Sequence, residues 1–286
     1  MDASFETCTV HIVGLGLMGG SLAMALRGKV GRLTAEDIAP DVIEDATARG
    51  VIDGAGTVNE ADLVVLAVPT HLIIRLIPQL PARPGALVID LGSTKTRICQ
   101  ALDRLPPEVM AVGGHPMCGL AENGYRNAIP TLYQGARFVL CETRRTTDEA
   151  RLIAEALVRA VGAHPLWMDR ARQDRLTALT SHLPHLLSFA LMRLAMDGAA
   201  EDSALLELAA GGFDGATRLA RTDAAMIVGM FSTNADLLRE TAARLRAHLD
   251  RLEALLDEPE QLEQELSAIV AARRAYTANY GERLIT

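Results

Sequence analysis

The spacing of apolar residues changes about halfway along the chain. Up to about Trp167, short apolar runs alternate with helix-like stretches. Val10–Val13, Leu63–Val68, Leu87–Leu91, Met110–Val112 and Phe138–Leu140 are bounded by Gly, Pro or polar residues and read as buried strands. Arg32–Ile38 reads as a further strand. Strands that alternate with helices predict a parallel sheet covered on both faces. After Asp169 the strand-like runs stop. Leu176–Ala195 and Ala224–Leu256 are rich in Ala, Leu and Arg and carry helical periodicity. Leu245, Leu249, Leu252 and Leu256 make one apolar stripe on such a helix, suited either to an internal core or to a subunit interface.

The first apolar run leads into a phosphate-binding pattern. Thr9-Val-His-Ile-Val-Gly14-Leu-Gly16-Leu17-Met18-Gly19 is a strand entering a G-x-G-x-x-G turn, followed by the helical run Leu22–Leu26. Gly14 permits the tight turn, Gly16 lets the backbone approach a pyrophosphate, and Gly19 lets helix pack on strand. The helix N-terminus then offers free N–H groups and a positive dipole end. Leu17 and Met18 belong to this turn, and Pro69 and Thr70 are further cofactor-contact candidates. Asp37 lies eighteen residues beyond Gly19, where a carboxylate accepts from ribose hydroxyls and repels a 2′-phosphate. The residues Ile38-Ala39-Pro40 bring no Arg, so NAD is favoured over NADP. Glu36 and Asp41 crowd the same stretch, and an ordinary surface role for Asp37 is the competing reading. The expected fold class is α/β, with an N-terminal Rossmann dinucleotide-binding domain over 1–168 and an all-α C-terminal domain over 169–286.

Composition narrows the partners. In 286 residues the net charge is −8, which argues against a nucleic-acid surface but allows a few placed cations for a small anion. The four cysteines form no CxxC pair and no Cys/His cluster with zinc spacing, so no metal is expected. No basic and apolar leader opens the chain, and no apolar run approaches the roughly 20 residues that span a bilayer. No membrane partner is therefore expected, and a cytoplasmic location is.

Three later segments carry candidate chemistry. Val88-Ile-Asp90-Leu-Gly92-Ser93-Thr94-Lys95 is a strand ending in a Gly-Ser turn. Ligands sit at the carboxyl ends of parallel strands, so Ser93 is placed to bind substrate or nicotinamide, or to cap a helix. Lys29 and Lys95 are the only lysines. Gly113-Gly-His115-Pro116-Met117-Cys118-Gly119 closes the next strand, and puts His115 on a loop as a candidate general base or a structural histidine. Ser181-His182-Leu-Pro184-His185 interrupts a helix, where two histidines favour polar contacts to a ligand over metal binding.

GLGLMGGS, DLGSTK, GGHPMCG, SHLPH and GGFDGATRLA occur in the order seen in prephenate/arogenate dehydrogenases of tyrosine biosynthesis. The resemblance covers essentially the whole chain. It implies NAD(P)-dependent oxidative decarboxylation of prephenate to 4-hydroxyphenylpyruvate, or of arogenate to tyrosine, both small dicarboxylates. By the same resemblance His115 is the base toward the C4 hydroxyl and Ser93 binds that hydroxyl. Arg218, placed after a helix break at Gly211-Gly212-Phe213, pairs with a substrate carboxylate. His182 and His185 line the pocket, Gln173 joins the substrate contacts, and the helical half forms a homodimer. The chain departs from the family pattern at Ala121, where the acid follows as Glu122. It departs again at Gln173-Asp174 in place of His-Asp, and at Ile227 in place of a Trp. The first and last departures resemble arogenate-preferring members. Two other readings compete: a 3-hydroxyacid or imine-type reductase, and a non-catalytic NAD-binding sensor.

Overall fold

The computed structural model describes residues 5–120 and 122–281. Eight strands form one sheet: β1 (Thr9–Val13), β2 (Arg32–Glu36), β3 (Gly54–Ala55), β4 (Leu63–Leu66), β5 (Leu87–Asp90), β6 (Met110–Pro116), β7 (Arg137–Glu142) and β8 (His164–Trp167). Their order is β3-β2-β1-β4-β5-β6-β7-β8. β4, at the centre of the sheet, is apolar at every position because both faces are covered. Leu63 and Val65 of β4 pack in one core with Leu22 and Leu26 of α1 (Leu17–Leu26) and Leu157 and Val158 of α5 (Asp148–Ala160). Val64 and Leu66 point the other way. There they meet Ile73 of α3 (Thr70–Leu76) and Ile98 and Leu102 of α4 (Thr96–Leu102). A further helix, α2 (Pro40–Ala48), follows β2.

The sheet is not wholly parallel as the alternation predicts. β6 outruns β5: the parallel pairing of β5 with β6 ends at Val112, and Val112–Pro116 pair antiparallel with β7. His115 is therefore not on a loop but on β6, opposite Val139. The loop reading fails because the antiparallel neighbour extends the strand through the two glycines. β2, β4 and β5 each stop one or two residues before the predicted end. β3 and β8 are edge strands with no strong apolar pattern, and both were unforeseen.

Beyond β8 the structure is helical. α6 (Arg170–Thr177) is capped by Asp169, whose Oδ1 accepts from Arg172 N at 2.9 Å. A π-helical turn over Ala178–His182 joins it to α7 (Leu183–Glu201). SHLPH thus widens a continuous helix rather than interrupting it, and Pro184 falls just after the widened turn, at the start of α7. α8 (Ala204–Glu207), α9 (Gly211–Thr217), a 3₁₀ turn over Arg218–Arg221 and α10 (Ala224–Thr233) follow. Gly211-Gly212-Phe213 opens α9 instead of breaking a helix. The long helix expected over Ala224–Leu256 is divided at Asn234.

Residues up to Ala235 form one compact unit and Asp236 onward a second. The second contains α11 (Ala235–Glu253) and α12 (Pro259–Tyr280), bridged by Arg251–Glu265 at 3.0 Å. Of the leucine stripe, Leu245 and Leu252 are half-buried, while Leu249 is 52% and Leu256 64% exposed.

Candidate active site

The dinucleotide cradle is built from backbone. Gly14 leaves β1 at φ +96°, a conformation that L side chains rarely adopt. A Cβ on Gly19 would lie 1.9 Å from the Gly14 carbonyl oxygen, so the turn and helix close on each other only without a side chain. A Cβ on Gly16 would meet nothing within 4 Å, and its φ of −70° is open to any residue. The protein itself does not require glycine there. Open space in front of the first turn of α1, with the N–H groups of Leu17, Met18 and Gly19 leading it, fits a pyrophosphate. Asp37 lies just past β2 with its carboxylate held in place: Oδ2 accepts from Leu15 N at 2.7 Å and Oδ1 from Ala39 N at 2.9 Å. Ile38 beside it is fully exposed. Pro69 precedes α3, and the Thr70 hydroxyl lies 3.4 Å from that of Ser93.

The second half of the site collects side chains from distant segments. His115 projects from β6 into a buried cluster, with Nδ1 2.7 Å from Nε2 of Gln173. The same Gln173 amide donates to the Ser93 carbonyl at 3.2 Å. Ser93 does not cap α4: Asp174 does so from α6, accepting from Lys95 N at 2.6 Å and Thr96 N at 2.8 Å. The Lys95 ammonium is fully buried, paired with Asp90 and donating to the Gly114 carbonyl at 2.6 Å. Asp90 also accepts from Gly92 N at 2.8 Å and Gly114 N at 3.0 Å. Burial pushes its carboxyl up, and the ammonium and N–H groups pull it back toward the charged form. This ion pair clamps the turn carrying Ser93 against the strand carrying His115.

His182, at the end of the π-turn, is fully buried, with Nδ1 3.1 Å from Nδ2 of Asn234. Asn234 in turn donates to the Asp174 carbonyl at 2.9 Å. Burial, with the Lys95 charge added, pushes His115 down to about 3, and burial brings His182 down to about 4. Both imidazoles are neutral at ordinary pH. His185 donates Nδ1–H to the Ser181 carbonyl at 2.9 Å; burial lowers its pKa and the charge of Arg218 adds to that. Arg218 sits on the 3₁₀ turn, which is tied to α7 by Ala220 N donating to Ser188 Oγ at 3.0 Å. Arg221 reaches Glu122 at 3.2 Å. Ile227 is buried on α10, and Ala121 lies outside the described residues.

The structure thus brings His115, Ser93, Gln173 and Thr70 into one connected site, with His182 joined to it through Asn234 and Asp174. His185 and Arg218 are neighbours of each other. Sequence reasoning missed Asp90, Asp174 and Asn234 as parts of the site. Asp90 lies in the DLGSTK motif and Asp174 in the Gln173-Asp174 pair, but neither motif gave its role, and Lys95 stood out as one of two lysines. Among the described residues no group of three or more His, Cys, Asp or Glu could hold a metal, and no helix is long and apolar enough to cross a membrane.

Comparison with known proteins gives the family. Residues 22–166 match the family model described as the prephenate dehydrogenase nucleotide-binding domain, and residues 169–271 match the prephenate dehydrogenase dimerization domain. A prephenate dehydrogenase of Lactococcus lactis is 31% identical over 253 residues, spanning 85% of this chain and 70% of the relative. The prephenate dehydrogenase of Aquifex aeolicus, solved with hydroxyphenyl propionate and NAD+, superposes with a TM-score of 0.88 at 28% identity. That match covers 96% of this chain and 99% of the Aquifex chain. Synechocystis arogenate dehydrogenase gives a TM-score of 0.77 at 29% identity, over 94% of this chain and 99% of its own. The matches favour this family over the hydroxyacid and imine reductases, and an enzyme over a sensor. The chain belongs to the prephenate dehydrogenase family, as an oxidoreductase of tyrosine biosynthesis with a nicotinamide dinucleotide cofactor.

Proposed function

We propose that this chain oxidatively decarboxylates a cyclohexadienol dicarboxylate, prephenate or arogenate, with NAD+ as its preferred cofactor. The observation that carries this reading is the buried, neutral His115 held beside Ser93 at the carboxyl end of the sheet. A neutral imidazole can take a proton, and Ser93 can hold the C4 hydroxyl that gives it up. Arg218 pairs with one substrate carboxylate through its planar guanidinium, and His182 and His185 complete the pocket. Gly14, Gly16, Leu17, Met18, Gly19, Asp37, Pro69, Thr70 and Ser93 would hold the cofactor, which supplies the hydride acceptor when bound. As the C4–H leaves as hydride and the hydroxyl proton goes to His115, the ring carboxylate departs as CO2 and its electron pair completes the aromatic ring. Asp37 supports NAD+ over NADP+, because a fixed carboxylate beside the ribose repels a 2′-phosphate.

The same reading assigns 1–168 to cofactor binding and 169–286 to substrate binding and homodimerisation, in a cytoplasmic enzyme. The exposed Leu249 and Leu256 suit a subunit interface. The decisive assay is kcat/KM for prephenate and for arogenate, each with NAD+ and NADP+. Turnover of one substrate with NAD+ is expected to exceed the NADP+ rate by tenfold or more; absence of NADH formation with both substrates would reject the assignment. A monomeric mass in sedimentation equilibrium at micromolar concentration would reject the dimer.

A further inference from the structure

Two side-chain amides settle where the site's histidines carry their protons. Gln173 Nε2 faces both the Ser93 carbonyl, at 3.2 Å, and His115 Nδ1, at 2.7 Å. A carbonyl only accepts, so it fixes which end of the amide is NH2, and the second hydrogen of that NH2 points at His115. Nδ1 is therefore an acceptor, and the neutral imidazole bears its proton on Nε2. Asn234 does the same for His182: its Nδ2 donates to the Asp174 carbonyl at 2.9 Å and to Nδ1 at 3.1 Å. His185 is the contrast, since its Nδ1 faces a carbonyl and must itself donate. The other end of the Gln173 amide, Oε1, is buried without a hydrogen-bond partner. A buried carbonyl oxygen left idle next to a base is a stand-by acceptor.

Proton abstraction makes this arrangement untenable. Once His115 has taken a proton, both ring nitrogens carry N–H, and Nδ1–H would oppose the Gln173 N–H, donor against donor. If the hydroxyl instead approaches Nε2, that atom must first be bare, which again puts the ring proton on Nδ1. Either route requires the amide to reverse. We propose that Gln173 is a two-state positioning residue for His115: its NH2 engages Nδ1 of the neutral ring and the Ser93 carbonyl, and when the ring carries the substrate's proton the amide turns, gives up the Ser93 carbonyl and accepts Nδ1–H through Oε1. The proton leaves the C4 hydroxyl, an N–H bond forms on the imidazole, and the oxygen keeps its electron pair as hydride departs. The other ionisable groups acting on His115 are Lys95, paired with Asp90, and His182 from the π-turn. None of them replaces the amide at Nδ1.

The consequence for catalysis rests on His115 being the base, but the tautomer can be measured without it. Long-range proton–nitrogen NMR spectra of the free enzyme, with the His115 signals identified by their loss in His115→Asn, are expected to show a bare Nδ1 and a protonated Nε2 above pH 5. A protonated Nδ1 in the free enzyme overturns the inference, whatever the enzyme's activity. Gln173→Glu supplies the second test, since a carboxylate can only accept and favours Nδ1–H. The acid limb of kcat/KM should then move up by one pH unit or more, equivalent to a tenfold loss at pH values below it. An acid limb left in place in a folded Gln173→Glu enzyme would also overturn the inference. Should that variant fail to fold, the wild-type spectrum decides alone. A fully active His115→Asn enzyme would instead remove the base assignment and leave the tautomer result standing.

Discussion

The two halves of the site are made in opposite ways. The dinucleotide cradle is nearly all backbone, taken from one stretch between Thr9 and Leu26 with the Asp37 carboxylate added 22 residues from its partner Leu15. The proton-transfer site is nearly all side chain, and its links span 58 residues from His115 to Gln173 and 79 from Lys95 to Asp174. A backbone site needs particular residue types at fixed spacing, because turn geometry allows no others. A side-chain site needs only that some polar group arrive at the right place, and many sequences can deliver one.

The largest effect should come from the side-chain half. His115→Asn keeps a polar ring-sized group but no base, and kcat should fall by about 10²–10⁴ with cofactor affinity nearly intact. Retention of more than half of the wild-type kcat would remove His115 from the mechanism. Arg218→Ala comes next. A charged hydrogen bond to a carboxylate contributes about 1.5–3 kcal/mol, so KM for substrate should rise roughly 10- to 100-fold while kcat changes much less. An unchanged KM in a folded variant would return Arg218 to the surface of the 3₁₀ turn.

The cradle offers a sharper test, because its glycines serve two different purposes. Gly19 is required by the protein itself: a methyl there would collide with the Gly14 carbonyl. Gly16 has open space in front of it and an unstrained backbone. Gly16→Ala should fold with an unchanged melting temperature, yet raise KM for the dinucleotide by roughly tenfold, since the methyl occupies the approach to the pyrophosphate. Gly19→Ala should lower the melting temperature even without cofactor. If the two variants behave alike, the division between structural and ligand-facing glycines is wrong.

How far the sequence could be read follows the same division. The order of strands and helices, the G-x-G-x-x-G turn and the change to helix after Asp169 were legible, because periodicity and turn chemistry are local. His115 was visible as a residue, but its strand was not. Whether Gly113-Gly114 ends β6 or continues it depends on β7, which lies more than twenty residues downstream. The roles of Asp174 and Asn234 were invisible for another reason. An Asp that caps a helix from a different element, and an Asn that orients a histidine on a different helix, leave no pattern near themselves. The lone lysine of the site, Lys95, stood out only because the chain otherwise uses arginine.

The smallest predicted effect compares buried histidines in the two halves. His11 on β1 is fully buried with Nδ1 3.0 Å from the Thr34 hydroxyl, and burial brings it down to about 4. His115 and His182 are held near 3 and 4 for the same reason. All three have folded pKa values below the usual 6.5, so the unfolded chain binds more protons as the pH falls below that value. Stability from keeping them neutral is full above pH 6.5 and is lost progressively toward pH 4. At pH 5.5 each should cost on the order of 1 kcal/mol, and the melting temperature should fall between pH 7.5 and 5.5. His11→Gln removes one of the titrating groups, beside His115, His182 and the likewise lowered His185, and should flatten that decline in part, with the catalytic pH profile unaltered. If His115 and His182 face the substrate as proposed, an anionic product-like ligand should raise their pKa values and leave that of His11 alone. With ligand bound, adding His11→Gln should flatten the remaining decline further. If the ligand raises the melting temperature no more at pH 5.5 than at pH 7.5, His115 and His182 do not face the bound anion, and the proton site must be redrawn.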